Sequence, residues 1–216
     1  MNKIGNIDIV VKNGNIAEEN ADLIVVPEFN SSASGGGVGY AIINAGMQAG
    51  LDFYNKAAQK KPFKCGDVMI TTSGKRGVKL AHVATVSANA QEQPVAVVKA
   101  VFNTLKSAND KKLQHVAIPE LGTGIIGNLT QEQSARLIFN AVYEFAKVNP
   151  DSNVNKVSLI IYGRASLDPA IQVLANKTYM KLPDFMVGNK KIDGVHGLIS
   201  LLYNNGIDFN KTNEAK

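Results

Sequence analysis

Apolar positions along this chain follow two alternating rhythms. Short, nearly continuous apolar runs occur at "IDIVV" (7–11), "DLIVV" (22–26), "DVMITT" (67–72), "LAHVATV" (80–86), "HVAIP" (115–119) and "VSLIIY" (157–162). Several lack a polar face, as strands covered on both sides do. Between them the spacing lengthens to that of helices, one or two across 38–60 and clearer ones over 93–109 and 131–147. In the last, Ala135, Ile138, Phe139, Val142 and Phe145 share one face, and Thr130 is placed to cap its start. Ser166 is placed to cap a further short helix, with Pro169 in its first turns.

This alternation predicts a three-layer α/β/α sandwich with a central mixed, mostly parallel sheet. No internal repeat is visible. The alternation stops after about residue 176, where "TYMKLPDFMVGNKKIDG" reads as an irregular connection, followed by a short apolar helix, "VHGLISLLYNN", and a polar tail. Residues 1–176 are thus expected to form the domain and 177–216 a C-terminal extension.

Composition narrows the function more than the fold. Of 216 residues, 45% are hydrophobic and 19% charged, as in an ordinary globular protein. The net charge of +5 is mild, and the basic residues fall in small scattered groups such as Lys60, Lys61 and Lys64. No basic stripe interleaves with aromatics, which argues against nucleic acid, while a small anionic ligand suits the charge. The single cysteine, Cys65, excludes an internal disulfide framework and a thiol metal cluster. The three histidines lack ligand spacing, and His82 inside "LAHVATV" reads as a core or strand histidine. No metal or cofactor is expected. Nor is a membrane: the start "MNKIGNIDIV" is no signal region and no apolar run is long enough to span, so a reducing cytoplasm is expected.

Two glycine-rich stretches carry the candidate chemistry. "NSSASGGGVGYAI" (30–42) and "PELGTGIIGN" (119–128) each follow a predicted strand and lead into a predicted helix. In an open α/β sheet that is the carboxyl edge, where ligands bind. A helix start offers unsatisfied N–H groups and partial positive charge, and bare glycine backbone lets an anion approach. Two such loops side by side could grip the two halves of a diphosphate. Neither contains the Gly-Lys-Ser/Thr of a P-loop. Gly122, Gly124 and Gly127 spell G-x-G-x-x-G, but late in the chain and without the acidic ribose reader of a dinucleotide-binding domain. The plainer alternative is that the glycines only serve tight turns.

Taken in order, "KNGNIAEENADLIVVPEFN", "GGGVGYAI", "CGDVMITTSG", "AHVATV", "IPELGTGIIG" and "LIIYG" resemble the macrodomain family over residues 7 to about 175. That resemblance implies an α/β/α sandwich binding ADP-ribose or a derivative, or an ADP-ribosylated protein. It leaves open whether the chain also acts as an ADP-ribosyl hydrolase or an ADP-ribose 1''-phosphate phosphatase. It identifies Gly35, Gly36, Gly37 and Val38 with the first phosphate loop, and Gly122, Thr123, Gly124, Ile125, Ile126 and Gly127 with the second. It puts Tyr162 against the adenine, Asn15 and Ile16 at the base-reading position, and Asn30 toward the distal ribose.

The chain departs from the family pattern in places. Asn15 stands where an aspartate usually reads the adenine amino group, Pro27-Glu28-Phe29-Asn30 replaces asparagine-alanine-alanine-asparagine, and Ile126 replaces an aromatic. Gly39 stands where one hydrolase subgroup has an aspartate. Glu28 and Glu120 are expected just past the ends of two strands that the resemblance makes neighbours in the sheet. Either both point to solvent, or one faces the distal ribose as a general base while Asn30 orients the sugar. The competing functions are a ligand-free diverged domain serving in assembly, with "LISLLY" as a protomer contact, and an accessory domain like those preceding aminopeptidases.

Overall fold

The computed structural model describes residues 2–29, 36–47, 64–74, 77–86, 93–124, 127–163, 165–182, 185–187 and 190–192. Its strands are β1 (Asn2–Ile4), β2 (Ile7–Asn13), β3 (Leu23–Phe29), β4 (Val68–Thr72), β5 (Lys79–Val86), β6 (His115–Pro119), β7 (Lys156–Ile161), β8 (Phe185–Val187) and β9 (Lys190–Ile192). Its helices are α1 (Gly37–Asn44), α2 (Gln93–Asp110), α3 (Gln131–Val148) and α4 (Asp168–Ala175).

All six expected strands are present, in one seven-stranded sheet of order β1-β2-β7-β6-β3-β5-β4. The five strands from β2 to β5 run parallel, and the outer strands β1 and β4 are antiparallel to their neighbours. The sheet is therefore mixed and mostly parallel, as the apolar runs imply. Pleating sorts its side chains: Leu23 and Val25 join the cluster under α2, α3 and α4, while Ile24 and Val26 join Ile42 of α1 on the other side. These two clusters make the three layers.

The stripe predicted for α3 is its buried face, with Ala135, Ile138, Phe139, Val142 and Phe145 all in the core. Burying each such phenylalanine contributes about 1.5–3 kcal/mol, and Phe145 meets Phe102 of α2 edge to face at 5.9 Å. Thr130 caps α3 in a full capping box, its hydroxyl accepting from Gln133 N while the Gln133 side chain accepts from Thr130 N.

Elsewhere the structure corrects the expectations. Ser166 is not the N-cap of α4, which starts after Leu167; its hydroxyl accepts from Asp168 N instead. The stretch after 176 is not wholly irregular, since Thr178–Met180 forms a 3₁₀ turn and β8 pairs with β9 as an antiparallel hairpin. Of the one or two helices expected over 38–60, residues to Asn44 form α1, and 48–63 lie outside the described residues, as does "LISLLY". Among the described residues, no helix is long and apolar enough to cross a membrane.

Candidate functional site

The strands β3 and β6 part company before they end. Their register pairs only Leu23 with Val116 and Ile24 with Ala117, while β3 stays on β5 as far as Phe29. Pro27 contributes to this local sequence a residue without an N–H for the ladder. The chain also turns opposite ways here: from β3 it proceeds to β4 and β5 on one side, from β6 to β7 on the other. A crevice at such a reversal, beyond the carboxyl ends of the strands, is the binding position of open α/β sheets.

Every described candidate residue comes from the carboxyl ends of β2, β7, β6 and β3, four consecutive strands of the sheet. At the β2–β7 end, Gly14 N donates to Ile161 O at 3.0 Å, which holds Asn15 and Tyr162 on adjacent strand exits. Asn15 caps the 3₁₀ turn Ile16–Glu18: its Oδ1 accepts from Ala17 N at 3.1 Å and its Nδ2 donates to Glu18 Oε1 at 3.1 Å. Its amide is thereby oriented, because a flip would set Nδ2 against the Ala17 donor. Ile16 is buried beneath, and Tyr162 is 78% exposed, a large aromatic presented to solvent.

At the β3 exit, α1 begins with Gly36 as N-cap and no side chain capping it. Among the described residues, a Cβ on Gly37 would meet nothing within 4 Å, and Val38 is half-buried against the α1-side cluster. Asn30 and Gly35 lie outside the described residues, as do Ile125 and Ile126.

At the β6 exit the glycines divide into two kinds. Gly122 has φ of +78°, and a Cβ there would press Leu129 and Gln93. A Cβ on Gly127 would overlap the Gly122 carbonyl. Both serve the loop's own turn. At Gly124, by contrast, no described residue comes within 4 Å of a Cβ. The loop closes on itself through Gly127 N to Gly124 O at 2.6 Å and Leu129 N to Gly122 O at 3.0 Å.

The two carboxylates have different settings. Glu28 lies within β3 rather than past its end, is 3% exposed, and its Oε1 is 2.9 Å from His82 Nδ1. His82 Nε2 lies in turn 3.0 Å from Thr71 Oγ1. His82 is a buried strand residue, as expected. Glu120 does follow the end of β6 and is half-buried. Burial pushes its carboxyl above the usual carboxylate range, against the pull of a hydrogen bond from the Gln131 side chain.

A family model described as Macro domain matches residues 25–138, more than half of the chain. The chain belongs to the Macro domain family. This macrodomain is 29% identical over 185 residues to the ADP-ribose glycohydrolase of Archaeoglobus fulgidus, covering 79% of the chain and 94% of that protein. It is 30% identical over 165 residues to an uncharacterised protein of Saccharolobus solfataricus, covering 75% of the chain and 89% of that protein. Among solved structures it resembles the Oceanobacillus iheyensis macrodomain with ADP, at a TM-score of 0.70 and 19% identity over 82% of this chain and 95% of that one.

Sequence reasoning passed over two buried side chains that hold the macrodomain's second loop. Gln93 Oε1 accepts from Asn128 N at 3.0 Å, and Ser134 Oγ accepts from Leu121 N at 3.0 Å. Each is a polar residue in the first turn of a helix, where a cap or solvent contact is the ordinary reading, so no sequence signal singles them out.

Proposed function

We propose that this macrodomain binds ADP-ribose, alone or attached to a protein, along the carboxyl edge from β2 to β3. The observation that carries the reading is the parting of β3 and β6, with a glycine loop leaving each strand. Four strands at about 4.8 Å spacing put the outer exits about 14 Å apart, so a base and a diphosphate would be met by different strand exits. In this reading Tyr162 stacks on the adenine and Asn15 with Ile16 reads its edge. The α1 start at Gly36, Gly37 and Val38, together with Gly35, takes one phosphate; Thr123 to Ile126 take the other, on a turn shaped by Gly122 and Gly127. Asn30 orients the distal ribose. The glycohydrolase relative supports the choice of ligand, and an ADP-ribosyl protein partner in the cytoplasm is consistent with it.

For hydrolysis, Glu120 is the better-placed base. It stands at the crevice mouth with a raised pKa, suited to deprotonating a water, whereas Glu28 is buried against His82. Calorimetric titration with ADP-ribose tests the binding. Saturable one-to-one uptake supports it, and no heat at millimolar ligand would leave an assembly domain. Release of ADP-ribose from an ester-linked ADP-ribosyl protein tests the chemistry.

A further inference from the structure

We propose that Gln93 and Ser134 are positioning residues that hold the second glycine loop in the shape that receives a diphosphate, an inference that rests on the ligand reading above. Gln93 is the first residue of α2 and is 2% exposed. Its side chain ties the exit of β5 to the far side of the loop, donating to Thr85 O at 3.5 Å and accepting from Asn128 N at 3.0 Å. Ser134, in the first turn of α3, is fully buried and accepts from Leu121 N at 3.0 Å, at the near side of the loop. The loop is therefore hung at both ends on buried side chains from two different helices.

The consequence is a division of the loop's amides. Leu121 and Asn128 are held by the two side chains, and Gly127 and Leu129 by the loop's own carbonyls. Among the described residues, none accepts from the amides of Thr123 or Gly124, and Gly124 faces open space. The amides of Thr123 and Gly124 are thus left able to hydrogen-bond an anion. Burying a glutamine costs desolvation and rotamer freedom, which a loop that merely reverses the chain does not require. Loop ends already held at Leu121 and Asn128 spare a ligand part of the ordering cost.

The experiment uses the full chain with Gln93→Met, which removes both polar groups at similar volume, and Ser134→Ala, which removes one oxygen. Amide exchange at Asn128 and Leu121 is measured together with titrations by ADP-ribose and by adenosine, which lacks the diphosphate. Exchange at the released amide should quicken by about tenfold or more. ADP-ribose should bind about five- to tenfold more weakly, the worth of one hydrogen bond, while adenosine binding stays within about twofold. If Gln93→Met does not fold, Ser134→Ala carries the test alone. Unchanged exchange, unchanged ADP-ribose affinity, or an equal loss for both ligands overturns the inference. A parent chain that binds neither ligand overturns the ligand reading, and the inference falls with it. A parent that binds both, with variants that fail to separate them, overturns the inference alone.

Discussion

Glu28 and His82 meet across β3 and β5, Oε1 to Nδ1 at 2.9 Å, with both side chains almost wholly buried. Thr71 on β4 completes a polar line across three strands at His82 Nε2. Removing one partner takes this hydrogen bond from the other's buried side chain, at about 1–3 kcal/mol. Glu28→Ala and His82→Ala should each lower Tm, by about 2–4 °C per kcal/mol at this chain length. The double variant should lose less than the sum of the two. Strictly additive losses in thermal melts would show that the pair is not a unit.

The two kinds of glycine predict opposite phenotypes. Gly124→Val and Gly37→Val place their Cβ where no described residue comes within 4 Å, so Tm should hold within a few degrees while ADP-ribose affinity drops at least tenfold. Gly127→Ala drives a methyl into the Gly122 carbonyl, so it should lower Tm and weaken binding together. Melting curves and titrations on the same preparations check this. A Gly124 variant that binds like the parent would make that loop purely structural.

Strands longer than four residues and the α3 stripe were legible because burial imposes a period on the residues themselves. The run "HVAIP" is β6 to the residue, and Thr130 caps α3 as expected. What escaped depends on three-dimensional neighbours. The three-residue β1 shows no period, although the Gly5-Asn6 pair between it and β2 is a recognisable two-residue hairpin turn. The burial of Glu28 follows from His82, which lies 54 residues away in sequence. The different duties of Gly124 and Gly127 follow from which atoms a Cβ would meet, which spacing does not reveal.

Base selectivity should be loose. Asn15 Oδ1 is committed to Ala17 N and its Nδ2 gives one hydrogen to Glu18 Oε1, so the second Nδ2 hydrogen is what the amide can offer a base. An amide donor tolerates a keto oxygen that a carboxylate would repel. Adenosine and inosine forms of diphosphate-ribose should bind within about tenfold, roughly 1.4 kcal/mol. Asn15→Asp keeps the acceptor for Ala17 N and should shift the preference toward adenine. A parent chain preferring adenine by well over tenfold would contradict this.

Glu120 ties pH to both stability and chemistry. Its carboxyl is raised above its ordinary value of 4.5 mainly by burial, so the folded chain holds this proton more tightly than the unfolded chain. The stabilisation is complete below the unfolded value and is lost as pH rises through the higher folded one; above that, the ionised, half-buried carboxylate is a liability. Glu120→Gln should therefore match the parent in acid and equal or exceed it in Tm at neutral pH. It should also bind ADP-ribose more tightly, since the charge repelling the diphosphate is gone. If Glu120 is the base, hydrolysis by the parent should rise with pH through that raised pKa, and the variant should lose it while binding improves. Retained turnover in Glu120→Gln would assign Glu120 no part in the reaction. Weaker ADP-ribose binding in that variant would instead make the carboxylate a hydrogen-bond acceptor for the ribose.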